Sequence, residues 1–390
     1  MNRKQIILIM KRYCIPTILL AAIIFISCQR IVDNTVKPDD DGPALKLANA
    51  NVTVKTIYTG LNNPWGMVWL PEGYLLVTEK AGDVLIFKDD KFTGKKLVGL
   101  PPVKNAGQGG LMDIKLHPDY KTNGWIYITY SKPVDGGVTT AVARFKLKLN
   151  QVTDLEDIFT AKPYIRATHH FGSRIVFDKD KYLYVSVGER GTEPKVQQLD
   201  NDHGKIHRIY DDGRVPADNP FVNTAGASKS IWTYGHRNPQ GMVYDAANNR
   251  LWEVEHGPKG GDELNLIQKG KNYGWPIATY GVNYDGSIIT PNKELPGVEN
   301  PKHYWVPSIG PCGMTIITGN KYAGAKGNLL VGALALTHLN RITLTGTTFK
   351  SEDRMLQGQG RFRYAAESPE GYVYAISEGP GKLIKFIPVK

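Results

Sequence analysis

Residues 170–191 read HFGSRIVFDKDKYLYVSVGERG. An alternating apolar run, a polar turn and a second apolar run specify a β-hairpin. A hairpin sets its two outer ends side by side, so His170 at one end and Glu189 at the other meet at a single rim. The same phrase recurs as NNPWGMVWLPEGYLLVTEKAG (62–82), GQGGLMDIKLHPDYKTNGWIYITYS (107–131) and RNPQGMVYDAANNRLWEVEHGP (237–258). Two more copies follow, PCGMTIITGNKYAGAKGNLLVGAL (311–334) and RFRYAAESPEGYVYAISEG (361–379). Their anchors are spaced irregularly, by roughly 40 to 75 residues, as in a repeat array with inserted loops.

Each hairpin leaves room for one or two outer strands, such as AVARFKLKL (141–149) and HLNRITL (338–344). Four strands repeated six times predict an all-β protein, a six-bladed β-propeller of four-stranded antiparallel blades. The composition agrees: 390 residues with 41% apolar content support a large core, while Gly 41 and Pro 24 supply many turns. A (β/α) barrel would need helices between strands, and no long helical periodicity is present. A two-sheet sandwich would not predict matching hairpins. Closing the sheets around an axis removes their free edges.

The formal charge of +11 is partly a leader effect, because Arg3, Lys4, Lys11 and Arg12 precede any acid; eleven less four leaves +7. Acids and bases are mixed along that remainder without a basic tract, which argues against nucleic-acid binding. A modest positive field suits an anionic cofactor better. The basic start, the apolar run Ile15–Ile26 and the pair Ser27-Cys28 resemble a bacterial lipoprotein signal, with an uncleaved anchor as the rival reading. This predicts a signal peptide over 1–27, lipidation at Cys28, a tether over 28–50 and the propeller over 51–390. The domain would then be exported and lipid-anchored to a bacterial membrane, in the periplasm or at the cell surface. With Cys14 in the leader and Cys28 acylated, Cys312 stands alone and the core holds together without a disulfide.

The repeat carries a geometric inference. Equivalent positions in different blades lie on one ring, so the residues opening the inner strands face each other: Gln108, His170, Arg237 with Asn238, and Arg361 with Arg363. Second-strand ends adjoin them, which adds Glu189 and the His256-Gly257-Pro258 turn. Arginines converging on one cleft repel unless an anion neutralises them, which points to a polyanionic ligand. His169 lies out of phase and reads as structural. Arg174, inside a strand, reads as the partner of an acid. Asp262, Glu263 and Asn265 either cap turns or, with nearby carbonyls, make a hard-cation site.

Four stretches, HHFGSRIVFDKDKYLYVSVGERG, YGHRNPQGMVYD (234–245), EHGPKGGDELNLI (255–267) and NYGWPIATYGVNYDG (272–286), resemble the soluble pyrroloquinoline quinone (PQQ)-dependent sugar dehydrogenases, the glucose/sorbosone dehydrogenase family. The resemblance runs from about residue 55 to the C-terminus and is strongest to the aldose sugar dehydrogenase branch. It implies PQQ over the axial opening of a six-bladed propeller, and an electron acceptor in the periplasm or membrane. Carried over, His170 is the base on the anomeric hydroxyl of an aldose, and Glu189, where the family usually has aspartate, fixes its tautomer. Gln108 contacts substrate or cofactor near that base. Arg237, Asn238, Arg361 and Arg363 hold PQQ. The carbonyls of Gly257 and Pro258, with Asp262 and Glu263 nearby, bind Ca²⁺. Two departures are plain: Ala335 replaces a lysine of the family's glucose dehydrogenases, and Tyr364 follows the second arginine where an aspartate is common. Two other functions share the fold: a sugar- or glycan-binding propeller without catalysis, and a Ca²⁺-dependent lactonase-type hydrolase. The latter needs a ring of Asp, Asn and Glu at the strand starts, which this chain lacks.

Overall fold

The computed structural model describes residues 45–389. The leader and Cys28 lie outside the described residues. Among the described residues no helix is long and apolar enough to cross a membrane.

The strands form six antiparallel sheets. Five have four strands in sequence order, and the sixth has five. Every hairpin read above supplies the first two strands of one sheet: Pro64–Trp69 with Tyr74–Glu79, Leu111–Leu116 with Ile126–Val134, and Ile175–Phe177 with Leu183–Val187. The other three are Pro239–Asp245 with Arg250–Glu255, Pro311–Ile316 with Leu329–Ala333, and Phe362–Glu367 with Val373–Glu378. These sheets are blades one to six in chain order. In the sixth, the outer partner of Gly381–Pro388 comes from the other end of the chain, Ala50–Thr59, in the register Val52↔Pro388 to Thr59↔Lys382. A short strand Leu45–Leu47 pairs outside it. The last blade is therefore five-stranded, and pairing begins inside the span read as a tether.

Burial follows position in the blade. Second strands such as Leu183–Val187 and Leu329–Ala333 are buried at every residue, because a neighbouring blade covers each face. Outer strands such as Lys91–Lys96 are mostly exposed and carry lysines. The apolar residues accordingly form a cluster at each blade junction, and a seventh joins Trp65, Met112, Val138 and Phe171. Leu76 and Ile86 of the first blade pack with Ile114 and Ile128 of the second. Trp252 and Leu264 of the fourth pack with Met314 and Leu329 of the fifth.

The axis is filled by a charge pair. Arg174 and Asp113 are both fully buried and meet at 2.7 Å. Arg174 Nε also donates to the Gln240 carbonyl at 3.0 Å, and its guanidinium lies over the Trp65 ring at 4.0 Å and the Tyr364 ring at 4.7 Å. One side chain thus ties together residues from five blades. Gly313 makes room for it: a Cβ there would come within 2.5 Å of Arg174 Nη2. Asp113→Ala strands a buried guanidinium and should cost about 3–5 kcal/mol in denaturant unfolding, whereas Asp113→Ala with Arg174→Met should recover most of that loss. Equal destabilisation by the single and double variants would show that the pair is not the source.

Candidate active site

The loop before the third blade's inner strand turns sharply, with His170 at φ +52° and Gly172 at +63°. Residues other than glycine adopt this left-handed backbone uncommonly, and histidine is among those that do so most readily. The turn is held by close packing: a Cβ on Gly188 would lie 2.1 Å from the His170 carbonyl. That approach sets His170 Nδ1 against Glu189 Oε1 in a hydrogen bond. The pair is fastened to its neighbours on both sides. His170 N–H donates to Gln108 Oε1 of the second blade at 2.8 Å, and Glu189 N–H donates to the Arg237 carbonyl of the fourth at 2.8 Å.

Two opposing effects set the protonation of the pair. Burial lowers the affinity of His170 for a proton, and Arg237 adds to that, while the Glu189 hydrogen bond acts the other way; the net direction is downward. Burial would raise Glu189, but the hydrogen bond and charge of His170 and the charge of Arg237 outweigh it, so its pKa is lowered. The two directions favour a neutral imidazole beside a carboxylate. With Nδ1 committed to Glu189, Nε2 is the nitrogen left to act on a ligand.

His170 opens onto a cavity of about 440 Å³ lined also by Gln108, Arg237, Gly257, Pro258, Asp262, Arg361 and Arg363. Glu189 and Asn238 stand just behind this wall. Asn238 accepts from Gly172 N–H at 3.1 Å and sets its amide nitrogen 3.5 Å from Gln108 Oε1 and 3.3 Å from His256 Nδ1. Arg237 Nη1 donates to the carbonyls of Gly257 at 2.8 Å and His256 at 3.2 Å, with its Nε buried and unpartnered. Arg361 donates to the Leu334 carbonyl at 2.9 Å and stays half exposed.

Two charged residues of the wall were not anticipated. Glu378 binds Arg363 Nε at 2.8 Å and lies 3.5 Å from Arg361 Nε, so the arginines are not a bare cationic cluster. Burial would raise the Glu378 pKa, but Arg363, Arg361 and Lys80 together hold it low. Lys80 is the other: its Nζ donates to the Gly107 carbonyl at 2.7 Å. The repeat carried the signal for both, because Glu378 ends its second strand and Lys80 follows the end of its own. Arg174 and His169, read as structural, do not line the cavity.

Of the four residues proposed for a metal, Gly257, Pro258 and Asp262 line this cavity and Glu263 does not. Asp262 accepts backbone N–H bonds from Gly257, Ile309 and Gly310, each at 2.8 Å, so it organises the turn; burial raises its pKa to about 6. Glu263 is the next residue of the same strand, so it faces the other way. It joins Glu253 and Glu255 around the Asn265 amide, at 3.1, 3.1 and 3.3 Å. What remains for a cation at the cavity is the pair of carbonyls of Gly257 and Pro258. Calcium takes six to eight oxygens, so these two hold it only alongside oxygens of a second ligand. An anionic ligand fits the wall directly: Lys80, Arg237, Arg361 and Arg363 face only Asp262 and Glu378 among carboxylates. A metal on the axis does not fit, because Arg174 occupies it.

Comparison with known proteins agrees with this geometry. The family model described as Glucose / Sorbosone dehydrogenase matches residues 61–385. The aldose sugar dehydrogenase YliI of Escherichia coli (strain K12) is 39% identical over 353 residues, covering 88% of this chain and 95% of its own. The crystal structure of the soluble aldose sugar dehydrogenase from Escherichia coli in the apo-form superposes with a TM-score of 0.84 at 37% identity, over 87% of this chain and 100% of that one. The PQQ-bound form of aldose sugar dehydrogenase from Streptomyces coelicolor gives 0.71 at 28% identity, over 87% and 99%. With its six blades and a histidine backed by a carboxylate at a largely cationic cavity, the chain belongs to the glucose/sorbosone dehydrogenase family and is a PQQ-type sugar oxidoreductase.

Proposed function

We propose that this cavity oxidises the anomeric hydroxyl of an aldose to the lactone. The observation that carries the reading is His170, hydrogen-bonded through Nδ1 to the buried Glu189, at a cavity where four cations outnumber two carboxylates. When bound, PQQ supplies a quinone that accepts the substrate's hydride, and Ca²⁺ polarises that quinone. His170 Nε2 takes the proton of the C1 hydroxyl. The imidazolium so formed is stabilised by Glu189, which also keeps the second proton on Nδ1. Arg237, Arg361 and Arg363, with Lys80 beside them, would hold the carboxylates and quinone oxygens of the cofactor, and Asn238 would support them. Gln108 fixes the His170 backbone and presents its amide to substrate or cofactor. Gly257 and Pro258 would lend their carbonyls to Ca²⁺; Asp262 shapes their turn, and Glu263 stays out of the cavity. The wall retains cationic contacts although Ala335 stands where a lysine is common in the family. Export, lipidation at Cys28 and transfer of electrons to a periplasmic or membrane acceptor complete the reading.

Apo-protein given PQQ and Ca²⁺ should reduce an artificial electron acceptor when supplied with aldoses. His170→Ala should lower kcat by about 10³-fold or more while PQQ still binds, because the base acts on substrate. Arg361→Ala should instead weaken PQQ binding about tenfold, as loss of a charge-assisted contact does. Turnover of lactones without PQQ, or no dye reduction across a broad aldose panel, would overturn the assignment.

The pH profile offers a separate check. Activity needs neutral His170, and burial depresses its pKa below 6.5. The acid limb of kcat/KM should therefore fall below that value. Glu189→Gln removes the interaction that favours the protonated ring, so it should shift that limb to still lower pH while reducing kcat. A limb shifted upward would contradict the pairing.

A further inference from the structure

Charged and amide side chains supply much of the cavity lining, yet a pyranose is not polar all round. Its hydroxyls form a rim, and its C–H bonds form apolar faces that bind best against a flat apolar surface. Tyr284 is the one benzenoid ring among the lining residues. Pro258, Leu334 and Ala335 are the other apolar contributors, and none of them presents an aromatic face.

Tyr284 is 72% exposed, which on a loose loop would mean little. This loop is fastened. Asn283 N–H donates to the Ser287 carbonyl at 2.9 Å, and Gly286 N–H donates to the Asn283 carbonyl at 2.8 Å. Asp285 Oδ1 accepts from both the backbone and the hydroxyl of Ser287, at 2.8 and 2.7 Å, and Asn283 Nδ2 donates to Ser287 Oγ at 3.0 Å. Just before the turn, Val282 exchanges two backbone hydrogen bonds with Lys259, at 3.0 and 3.1 Å. That join ties the turn to the segment carrying Pro258, whose carbonyl accepts from Ser308. The neighbouring Tyr280 and Tyr304 stack on each other with ring centres 3.8 Å apart, whereas Tyr284 has no ring or cation partner among the described residues. A short self-bonded turn thus holds a bare aromatic ring at the cavity.

We propose that Tyr284 is the platform on which the C–H face of the substrate pyranose stacks, making it a specificity-determining residue. The assignment rests on the aldose reading above and names the substrate as an aldopyranose with an open C–H face. An aromatic ring supplies such a surface with little entropy to lose, more so when its loop is already ordered. The contact is made equally in ground and transition states, so its loss acts on binding rather than on chemistry.

The test uses protein reconstituted with PQQ and Ca²⁺, assayed by dye reduction with aldopyranoses. Tyr284→Ala should raise KM about tenfold, equivalent to about 1.4 kcal/mol, with kcat within about twofold. Tyr284→Phe and Tyr284→Trp should keep KM near wild type, since stacking needs the ring and not the hydroxyl. The Kd for PQQ, titrated without sugar, should be the same in Tyr284→Ala as in wild type. An active Tyr284→Ala enzyme with unchanged KM would overturn this assignment and leave the dehydrogenase reading standing. Tyr284→Phe behaving like Tyr284→Ala would also overturn it, by assigning the effect to the hydroxyl. Wild-type protein that binds PQQ but oxidises no aldose would remove the dehydrogenase reading and this assignment with it.

Discussion

Six separate rims become one mouth only if the ring of sheets closes. Closure here rests on the antiparallel pairing of Ala50–Thr59 with Gly381–Pro388, the two ends of the folded chain. Without it the sixth blade loses its outer strands, and Arg361, Arg363 and Glu378 of that blade lose their fixed distance from Lys80 of the first. The same closure forces six inner strands toward one axis, where there is no space for six ordinary side chains. The solution is a single large, fully buried cation, Arg174, paired with Asp113 and flanked by Trp65, Tyr364 and Gly313. A buried ion pair of this kind contributes little net stability by itself. Its value lies in register, because its contacts reach across blades and fix their mutual rotation.

The cavity above this plug inherits an electrostatic conflict. Arg237, Arg361, Arg363 and Lys80 cannot share one concave wall cheaply in a low-dielectric setting. The protein offsets the repulsion only in part. Glu378 takes up Arg363 and approaches Arg361, Gln240 takes one nitrogen of Arg363, and backbone carbonyls take Arg237 and Lys80. Arg237 Nε and His256 Nε2 remain buried without partners among the described residues. A wall with cations in surplus and orphaned donors is arranged for an anion that the chain itself does not contain.

Much of this was legible because the hairpin phrase repeats. Matching copies set the number of blades, and the phase of each copy placed Gln108, His170, Arg237 and Arg361 at one level without any structure. Two kinds of information were not legible. Glu378 and Lys80 lie in the same phase, at second-strand ends, but a glutamate and a lysine there look like ordinary solvated charges. Only the distances across the axis show what they face. The separation of Asp262 from Glu263 was hidden for a different reason. Composition made DEL next to a Gly-Pro turn look like a cation site, while the strand's two-residue period sends adjacent carboxylates to opposite faces. One became the organiser of a turn and the other joined a buried acid cluster. Strand Leu45–Leu47 was hidden by the Pro- and Asp-rich stretch that precedes it.

Two histidines of the site show how environment, rather than residue type, assigns a role. His256 is partly buried in the same cavity wall, and burial with the charges of Arg363 and Arg237 drives its pKa down to about 3, which favours the neutral ring. It can only donate or accept a fixed hydrogen bond beside Asn238. His170 is also pushed toward the neutral form, but it keeps a carboxylate against Nδ1 and an open face on the cavity. In the proposed reaction, that carboxylate makes gaining a proton tolerable at the moment a substrate gives one up. A base must rest neutral and yet accept charge when called on, and of the two only His170 has the partner for both states. The left-handed backbone at φ +52°, clamped by Gly188, is what holds the imidazole and carboxylate together. The hairpin therefore carries the proposed chemistry because its own closure brings the two groups into contact.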